Sequence, residues 1–205
     1  MIHDSPKRLG QHFLVSPDVL KKIISAVALS PRDTALEIGP GKGALTRALA
    51  QHCGEVVAVE KDAILYHDLA VAFERGGITN VRLVLGDILK IPLERLGLPP
   101  QYLVAANIPY YLTSRLIRKL LECETPPQRI FLMVQKEVAL RMTARPPDMN
   151  LLALSVQAYG KPEILFPVPP KAFSPPPEVG SAFIAIRDIR PFASRHKTPA
   201  EVFFR

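Results

Sequence analysis

The sequence predicts an α/β protein in which a mostly parallel sheet carries helices on both faces. Short apolar strands alternate with helical segments along most of the chain, and a glycine-rich turn joins the first strand of this series to a helix. Strands that alternate with helices imply right-handed crossovers and a parallel sheet. The last two strands follow each other without a helix, so we expect an antiparallel hairpin at one edge of a seven-stranded sheet.

The predicted strands are short apolar runs bounded by turn residues; they cover residues 34–38, 55–60, 81–85, 102–106, 129–134, 164–168 and 182–186. The first of them ends in the glycine turn 39–43, and the second, EVVAVE, has the apolar centre of a buried strand. A proline-rich connection over 169–180 joins the last two. Because proline lacks an amide donor, this connection should be a stiff surface loop without a strand.

The predicted helices have apolar residues at helical spacing; they cover residues 17–29, 44–52, 62–75, 113–123, 136–144 and 150–159. Ser16 followed by Pro17 is typical of an N-cap and the first helical position. Gly76 and Gly77 end the third helix. Residues 1–15 show no regular pattern and are expected to form an irregular N-terminal arm.

Composition excludes several classes of protein. Of the 205 residues, 48% are hydrophobic and 22% charged, which is typical of a globular domain and not of a disordered tail, coiled coil or collagen. No apolar run has the length of a membrane span, and the first residues lack a secretory signal. The two cysteines, Cys53 and Cys123, form neither a disulfide framework nor a zinc motif. We therefore expect a reduced, cytoplasmic protein without a metal site.

The end of the sequence predicts a domain boundary. Residues 16–190 are expected to form the α/β domain. Thr198 and Glu201 have capping-box spacing, with Pro199 at the first helical position, yet the chain stops at residue 205. A helix of that length is too short to be stable alone. We expect residues 191–205 to be the start of a truncated helical domain; a naturally frayed tail is the alternative.

A glycine loop and three acids indicate a ligand site. The segment EIGPGKG places Glu37 at the end of a strand and Gly39, Gly41 and Gly43 in the turn that follows. Glu60 ends the next strand and Asp87 follows the third, so all three acids stand at the carboxyl ends of parallel strands, where open sheets bind ligands. An acid at the position of Glu60 can accept both hydroxyls of a ribose, which favours an adenosine-containing ligand. A plain tight turn and two helix N-caps are the structural alternatives.

The tetrapeptide Asn107-Ile108-Pro109-Tyr110 follows the fourth strand. An exocyclic adenine amine is a poor nucleophile because its lone pair is delocalised into the ring. The Asn107 side-chain oxygen and the Ile108 carbonyl provide two acceptors for the amino hydrogens, and Tyr110 provides a face on which a base can stack. The alternative is an ordinary turn, since Asn-x-Pro is common turn chemistry.

Six longer segments carry a family resemblance: KRLGQHFL at 7–14, EIGPGKGALT at 37–46, GDIL at 86–89, NIPYYLTS at 107–114, VQKEVALRM at 134–142 and FSPPPEVGS at 173–181. With these motifs the chain resembles the ribosomal RNA adenine dimethyltransferases, the KsgA group, which are related to the macrolide-resistance rRNA methyltransferases. The first and fifth segments favour the small-subunit branch. The resemblance implies a Rossmann-like class I methyltransferase fold, S-adenosylmethionine as the cofactor, and dimethylation of adenine N6 in small-subunit ribosomal RNA during ribosome biogenesis.

The resemblance also implies roles for particular residues. It assigns the methyl donor to His12, Leu14, Gly39, Gly41, Glu60, Asp87, Ile88 and Asn107. It assigns catalysis to Asn107, Tyr110 and Phe173, with the two aromatic rings enclosing an adenine that has left its stack. Two positions depart from the family pattern, which usually has Asn at the place of His12 and an acidic or amide residue at the place of Gly180.

Charge and resemblance together indicate an RNA partner. The chain has 26 Lys and Arg against 19 Asp and Glu, a net charge of +7, which suits a phosphate backbone, although a soluble basic protein has the same balance. Basic residues predicted on the acceptor side are Lys7, Arg8, Arg115, Arg118, Lys136, Arg141 and Lys171. We expect a monomer that binds ribosomal RNA in the immature small subunit.

Other functions stay open at this point. One is a non-catalytic RNA-binding factor for ribosome assembly that keeps a relic cofactor pocket. A second is a 23S rRNA adenine methyltransferase of the macrolide-resistance type, and a third is a DNA adenine methyltransferase. A nicotinamide-dependent dehydrogenase is disfavoured, because the glycines follow G-x-G-x-G and not the G-x-G-x-x-G spacing of dinucleotide-binding folds.

Overall fold

The structure, a computed structural model, describes residues 11–195. The first ten residues of the predicted arm, including Lys7 and Arg8, lie outside the described residues. So does the predicted capping box at 198–201.

Nine strands and seven α-helices make up the described residues. The strands are β1 Phe13–Leu14, β2 Thr34–Ile38, β3 Glu55–Glu60, β4 Val81–Leu85, β5 Leu103–Asn107, β6 Arg129–Gln135, β7 Lys161–Val168, β8 Phe173–Ser174 and β9 Ser181–Arg187. The helices are α1 Pro17–Val27, α2 Ala44–Ala50, α3 Ala63–Arg75, α4 Thr113–Glu122, α5 Lys136–Met142, α6 Leu151–Gln157 and α7 Phe192–Arg195.

Seven strands form one mixed sheet in the order β4-β3-β2-β5-β6-β9-β7. The five strands β2 to β6 are parallel, whereas β9 runs antiparallel to both β6 and β7. The predicted fold class and the predicted edge hairpin are therefore confirmed. From β2 the strand order runs toward β3 and β4 on one side and toward β5 and β6 on the other, and ligands bind at such a switch point in open α/β sheets.

Two predictions about irregular segments are wrong. In the arm, Phe13–Leu14 is a short strand, and it pairs antiparallel with Phe173–Ser174 in the connection predicted to contain no strand. Neither Phe173 nor Ser174 is a proline, so both keep their amide donors. The two partners are far apart in sequence, and a local pattern does not reveal such pairing.

The edge strand β7 begins at Lys161, three residues before the predicted start. The added residues include Pro162, which lacks an amide donor, and β7 lies at the end of the sheet order. A strand at that position has one side without a neighbour, and a missing amide donor is tolerated there.

The sheet separates two hydrophobic clusters. One packs beneath α4, α5 and α6 and contains Leu116, Met142 and Val156; the other packs beneath α1 and α2 and contains Ile23 and Leu49. Phe192 of α7 belongs to the first cluster, with its ring centroid 5.7 Å from that of Tyr159. The predicted start of a further domain at residue 191 stays a prediction.

Candidate active site

The carboxyl ends of β2, β3 and β5 surround a cavity of about 540 Å³. Its wall includes the glycine loop after β2, the acid at the end of β3, the turn after β4, the Asn107–Tyr110 segment after β5, and residues 11–14 of the arm. One cavity thus brings together the glycine loop, the acids and the acceptor motif that the sequence placed on separate loops.

The glycine loop approaches the arm more closely than a side chain would allow. Gly41 has φ +59°, and a Cβ atom at this position would lie 2.9 Å from the Phe13 ring. The Lys42 ammonium lies 5.0 Å from the centre of the same ring. Gly39 also has a positive φ, +69°, without a crowding neighbour. Glycine is therefore required at residue 41 both for the backbone angle and for the packing of β1 across the loop.

Glu60 is buried, and its carboxylate joins two parts of the cavity wall. Its Oε2 atom accepts a hydrogen bond from the Gly41 amide at 3.2 Å, and its Oε1 atom accepts one from the Asp62 amide at 2.8 Å. Asp62 in turn caps α3 through its side chain. The two hydrogen bonds fix the position of this carboxylate in the cavity wall.

Asp87 lies in the turn after β4 and is held from two sides. Lys61 Nζ is 3.0 Å from Oδ2, and the Leu89 amide donates to Oδ1 at 3.0 Å. Burial disfavours the charged form of Asp87, but the hydrogen bonds from Lys61 and Leu89 and the positive charge of Lys61 outweigh it and lower the pKa of this carboxyl. Ile88, beside it in the cavity wall, is buried and apolar.

Asn107 is oriented by the arm. Its Nδ2 atom donates to the main-chain oxygen of His12 at 2.9 Å. This bond uses the amide nitrogen and leaves Oδ1 as the acceptor that the side chain offers to a substrate. Asn107 and Ile108 both line the cavity.

Tyr110 forms the acceptor side of the wall. Its hydroxyl lies 2.8 Å from the Ser181 hydroxyl, and its ring is stacked on that of His12 with centroids 5.9 Å apart. His12 Nδ1 is also 2.8 Å from the main-chain oxygen of Pro175. The side chain of His12 therefore connects the acceptor motif to the proline-rich loop.

The other predicted site residues are divided between the cavity and the core. Leu14 lines the cavity and is 6% exposed. Phe173 does not line it; the ring is 4% exposed and packs in the cluster beneath α1 and α2. The role of Phe173 in enclosing a base with Tyr110 stays a prediction. A side chain at Gly180 would meet no close neighbour, so this departure from the family pattern creates no packing requirement.

The predicted basic set is only partly at the cavity. Arg115 lines it, whereas Arg118 pairs with Glu122 on the exposed face of α4. Lys136, Arg141 and Lys171 are exposed and lie outside the cavity wall.

Sequence analysis counted Glu37 among the three acids of the ligand site but gave it no specific role. It lines the cavity with a side chain only 2% exposed. Burial raises its pKa to about 8; the nearby Thr46 hydroxyl lowers it in part, and the charge of Glu60 raises it. A carboxyl inside an otherwise apolar strand was the available signal.

Within residues 11–195, no group of three or more His, Cys, Asp and Glu side chains is arranged to hold a metal ion. The same residues include no helix with both the length and the apolar character that crossing a membrane requires.

The sheet order and the cavity at its switch point define a class I methyltransferase fold. The family model described as ribosomal RNA adenine dimethylase matches residues 2–200, and the chain belongs to this family. It is 49% identical over 181 residues to the ribosomal RNA small subunit methyltransferase A of Dehalococcoides mccartyi, which covers 88% of this chain and 62% of that protein. The protein of the same name from Moorella thermoacetica is 41% identical over 191 residues, covering 88% and 66%. The chain thus spans less than two thirds of the length of these relatives.

Two solved structures are similar to the chain. A dimethyladenosine transferase from Plasmodium falciparum matches with a TM-score of 0.76 and 31% identity, covering 86% of this chain and 63% of that one. The 23S rRNA methyltransferase ErmE matches with a TM-score of 0.76 and 28% identity, covering 88% and 71%.

Proposed function

We propose that the protein binds S-adenosylmethionine and transfers its methyl group to adenine N6 in small-subunit ribosomal RNA, twice per base. Membership of the ribosomal RNA adenine dimethylase family and the names of its relatives support this activity. The observation that carries it is local: the Asn107–Tyr110 acceptor motif shares one cavity wall with the glycine loop and the acids Glu60 and Asp87.

The residues present fit the donor. Cavities of several hundred Å³ suit ligands of this size. The open backbone at Gly39 admits the methionine half, and the two oxygens of Glu60 accept the ribose hydroxyls. Asp87 and Ile88 offer an acceptor and an apolar surface to the adenine ring. His12 and Leu14 contribute from the arm, which crosses the glycine loop through Phe13.

The bound donor supplies an electrophilic methyl group on its sulfonium. The protein holds the acceptor amine: the Oδ1 atom of Asn107 and the carbonyl of Ile108 accept its two hydrogens and draw the nitrogen toward tetrahedral geometry. Tyr110 offers its ring as a stacking surface. Direct displacement then needs positioning and exclusion of water more than a strong base, because the protonated methylamino product is itself acidic.

The test is methyl transfer from labelled S-adenosylmethionine by the 205-residue chain. The substrate is small ribosomal subunits that lack these methyl groups, and nucleosides of the product are identified. We expect N6-dimethyladenosine with wild-type protein and, in Asn107→Ala, a loss of rate much larger than the loss of donor affinity. Donor binding without any methylated adenosine in small-subunit RNA would exclude the proposed substrate. Absence of donor binding would exclude the cofactor.

A second candidate is methylation of 23S ribosomal RNA, favoured by the likeness to ErmE. Large-subunit RNA in a parallel assay decides between the two. Methylation confined to large-subunit RNA would favour the second candidate.

The proposal also includes an RNA partner in the immature small subunit, a monomeric state and a cytoplasmic location. Net charge of +7 and the exposed Arg115 at the cavity support the RNA partner. We further propose that residues 16–190 form the catalytic domain and that residues from 191 onward begin a separate helical domain.

A further inference from the structure

Tyr111 directly follows the acceptor motif, and the proposed chemistry gives its side chain no task. The residue lines the cavity, yet it is 66% exposed. Its neighbour Tyr110 is held by the Ser181 hydroxyl and by the ring of His12. A single exposed apolar residue is ordinary on a protein surface, but this one is an aromatic ring in the wall of the acceptor cavity.

The backbone that carries Tyr111 is fixed although its ring is exposed. Residues Tyr110–Leu112 form a 3₁₀ turn, in which the Leu112 amide donates to the Pro109 carbonyl at 3.0 Å. The next residue, Thr113, is buried, and its hydroxyl donates to the Tyr110 carbonyl at 3.0 Å. The ring is therefore presented from a rigid turn, and binding a ligand there requires little ordering of the chain.

Arg115 lies four residues after Tyr111, on the first turns of α4, and it is also exposed in the cavity wall. Among the described residues, no carboxylate forms an ion pair with it. The next arginine along the helix differs, because Arg118 pairs with Glu122 at 2.9 Å. A guanidinium without an acidic partner beside an exposed ring offers donors to a phosphate group.

The two tyrosines are placed to contact consecutive nucleotides. Their Cα atoms are neighbours in the chain, about 3.8 Å apart. With three residues per turn, successive side chains of a 3₁₀ turn leave the backbone in directions about 120° apart. A base on Tyr111 therefore lies outside the pocket of a base on Tyr110, and a single phosphate joins two such bases in one strand.

We propose that Tyr111 and Arg115 form a second nucleotide subsite at the edge of the cavity. The Tyr111 ring stacks on the base next to the target adenine, and the Arg115 guanidinium binds the phosphate between the two nucleotides. The inference rests on the proposed function, because that function places a strand of RNA at the acceptor motif. Stacking on an aromatic ring tolerates any base, so this subsite adds affinity without reading sequence.

Binding of a single-stranded RNA hexanucleotide tests the role of Tyr111. The probe has one adenosine among uridines, and binding is measured at low salt in the presence of S-adenosylhomocysteine. We expect Tyr111→Ala to bind it roughly tenfold more weakly than the wild type and Tyr111→Phe to bind it as tightly. The affinity of all three proteins for S-adenosylhomocysteine should be the same.

Two further probes carry an abasic nucleotide on the 5′ or the 3′ side of the adenosine and identify what the ring contacts. With the base missing on the side that Tyr111 takes, the wild type should lose roughly tenfold and Tyr111→Ala should lose little more. With the base missing on the other side, the ratio between the two proteins should persist. A merely structural role of Tyr111 would give the same ratio with all three probes.

The salt dependence of RNA binding tests Arg115. Loss of one phosphate contact should lower the slope of log affinity against log salt by about 0.7 in Arg115→Gln. Arg32→Gln is the charge-matched control: Arg32 is exposed in the loop before β2, at the edge of the sheet opposite the cavity. It should keep the wild-type slope.

Equal RNA affinities of the wild type and Tyr111→Ala would overturn the inference, as would a loss that persists whichever neighbouring base is missing. Equal salt slopes for Arg115→Gln and the wild type would overturn the phosphate contact. If Tyr111→Ala does not fold, Tyr111→Leu, which keeps apolar bulk without an aromatic face, replaces it in the same comparison. Wild-type protein that binds S-adenosylhomocysteine but no RNA contradicts the proposed acceptor itself, whereas RNA binding that Tyr111 does not influence contradicts only the second subsite.

Discussion

Replacement of Glu60 should weaken the folded protein as well as donor binding. In the structure its two oxygens accept hydrogen bonds from the Gly41 and Asp62 amides, so it joins the glycine loop to the start of α3. Hydrogen bonds to charged groups contribute about 1.5–3 kcal/mol each. Glu60→Ala removes both acceptors, and the free energy of unfolding should fall by roughly 3–6 kcal/mol. Glu60→Gln keeps one acceptor and should lose about half of that.

Urea denaturation of the ligand-free protein at pH 7 measures these losses, and calorimetry then measures donor affinity. Each variant that folds should bind the donor at least about tenfold more weakly, because a charge-assisted bond to ribose is lost. Glu163→Gln is the control; this exposed acid pairs with Arg187 on the surface, where an ion pair contributes at most about 1 kcal/mol. Wild-type unfolding curves for both Glu60 variants would refute the joining role, and unchanged donor affinity would refute the ribose assignment.

Three further changes have defined outcomes. The first concerns the pH dependence of stability. Below pH 4.5 Glu37 is protonated in both the folded and the unfolded protein. Between pH 4.5 and its folded pKa of about 8, only the folded protein keeps this proton, so the free energy of unfolding of the wild type should fall as the pH rises through this range. At about 1.36 kcal/mol per pKa unit, the total loss approaches roughly 5 kcal/mol, and Glu37→Gln should abolish it. The prediction is contradicted if the urea midpoints of the wild type and of Glu37→Gln change with pH in the same way from pH 5 to pH 8. Gly43→Ala should lower the free energy of unfolding by about 2–4 kcal/mol, because Gly43 has φ +76° and a Cβ atom there would lie 2.5 Å from Leu69. Gly77→Ala is the control: Gly77 has φ +64° but no close neighbour, so the loss in the same denaturation assay should be only about 1 kcal/mol. Lys119 donates to the main-chain oxygens of Leu89 and Ile91, just after Asp87, and we expect it to position that turn. Lys119→Met should therefore weaken donor affinity several-fold, and Lys119→Arg should restore it in part. Equal calorimetric affinities for the wild type and both variants would exclude this positioning role.

The parallel core of the fold was predictable from local pattern, and the pairs that involve the arm were not. Strands 34–38, 55–60 and 81–85 are observed with the predicted bounds, because each is an apolar run between clear turn signals. The pairing of Phe13–Leu14 with Phe173–Ser174 joins segments about 160 residues apart, each only two residues long. A strand of that length has no period, so only the folded chain reveals it.

That candidate site residues from different strand ends lie in one cavity wall was predictable for a related reason. Parallel strands bring their carboxyl ends to one edge, so Gly39, Glu60 and Asp87 had to meet once the strands were right. The side-chain contacts around these residues could not be predicted from the sequence, because they depend on exact atomic positions. The contact of Gly41 with Phe13 and the burial of the Glu37 carboxyl follow from tertiary packing.

Residue 12 makes different contacts through its backbone and through its side chain. The family pattern usually has Asn at this position, yet the group that orients Asn107 is the main-chain oxygen of His12, which any residue supplies. The change of side chain therefore leaves the orientation of the acceptor amide intact. The imidazole adds something separate: it stacks on Tyr110 and bonds to Pro175, while Phe173 remains in the core. A base that stacks on Tyr110 would have to displace this ring, pack against it or use the other face. We therefore propose that the side chain of residue 12 influences acceptor binding, whereas its main chain orients Asn107.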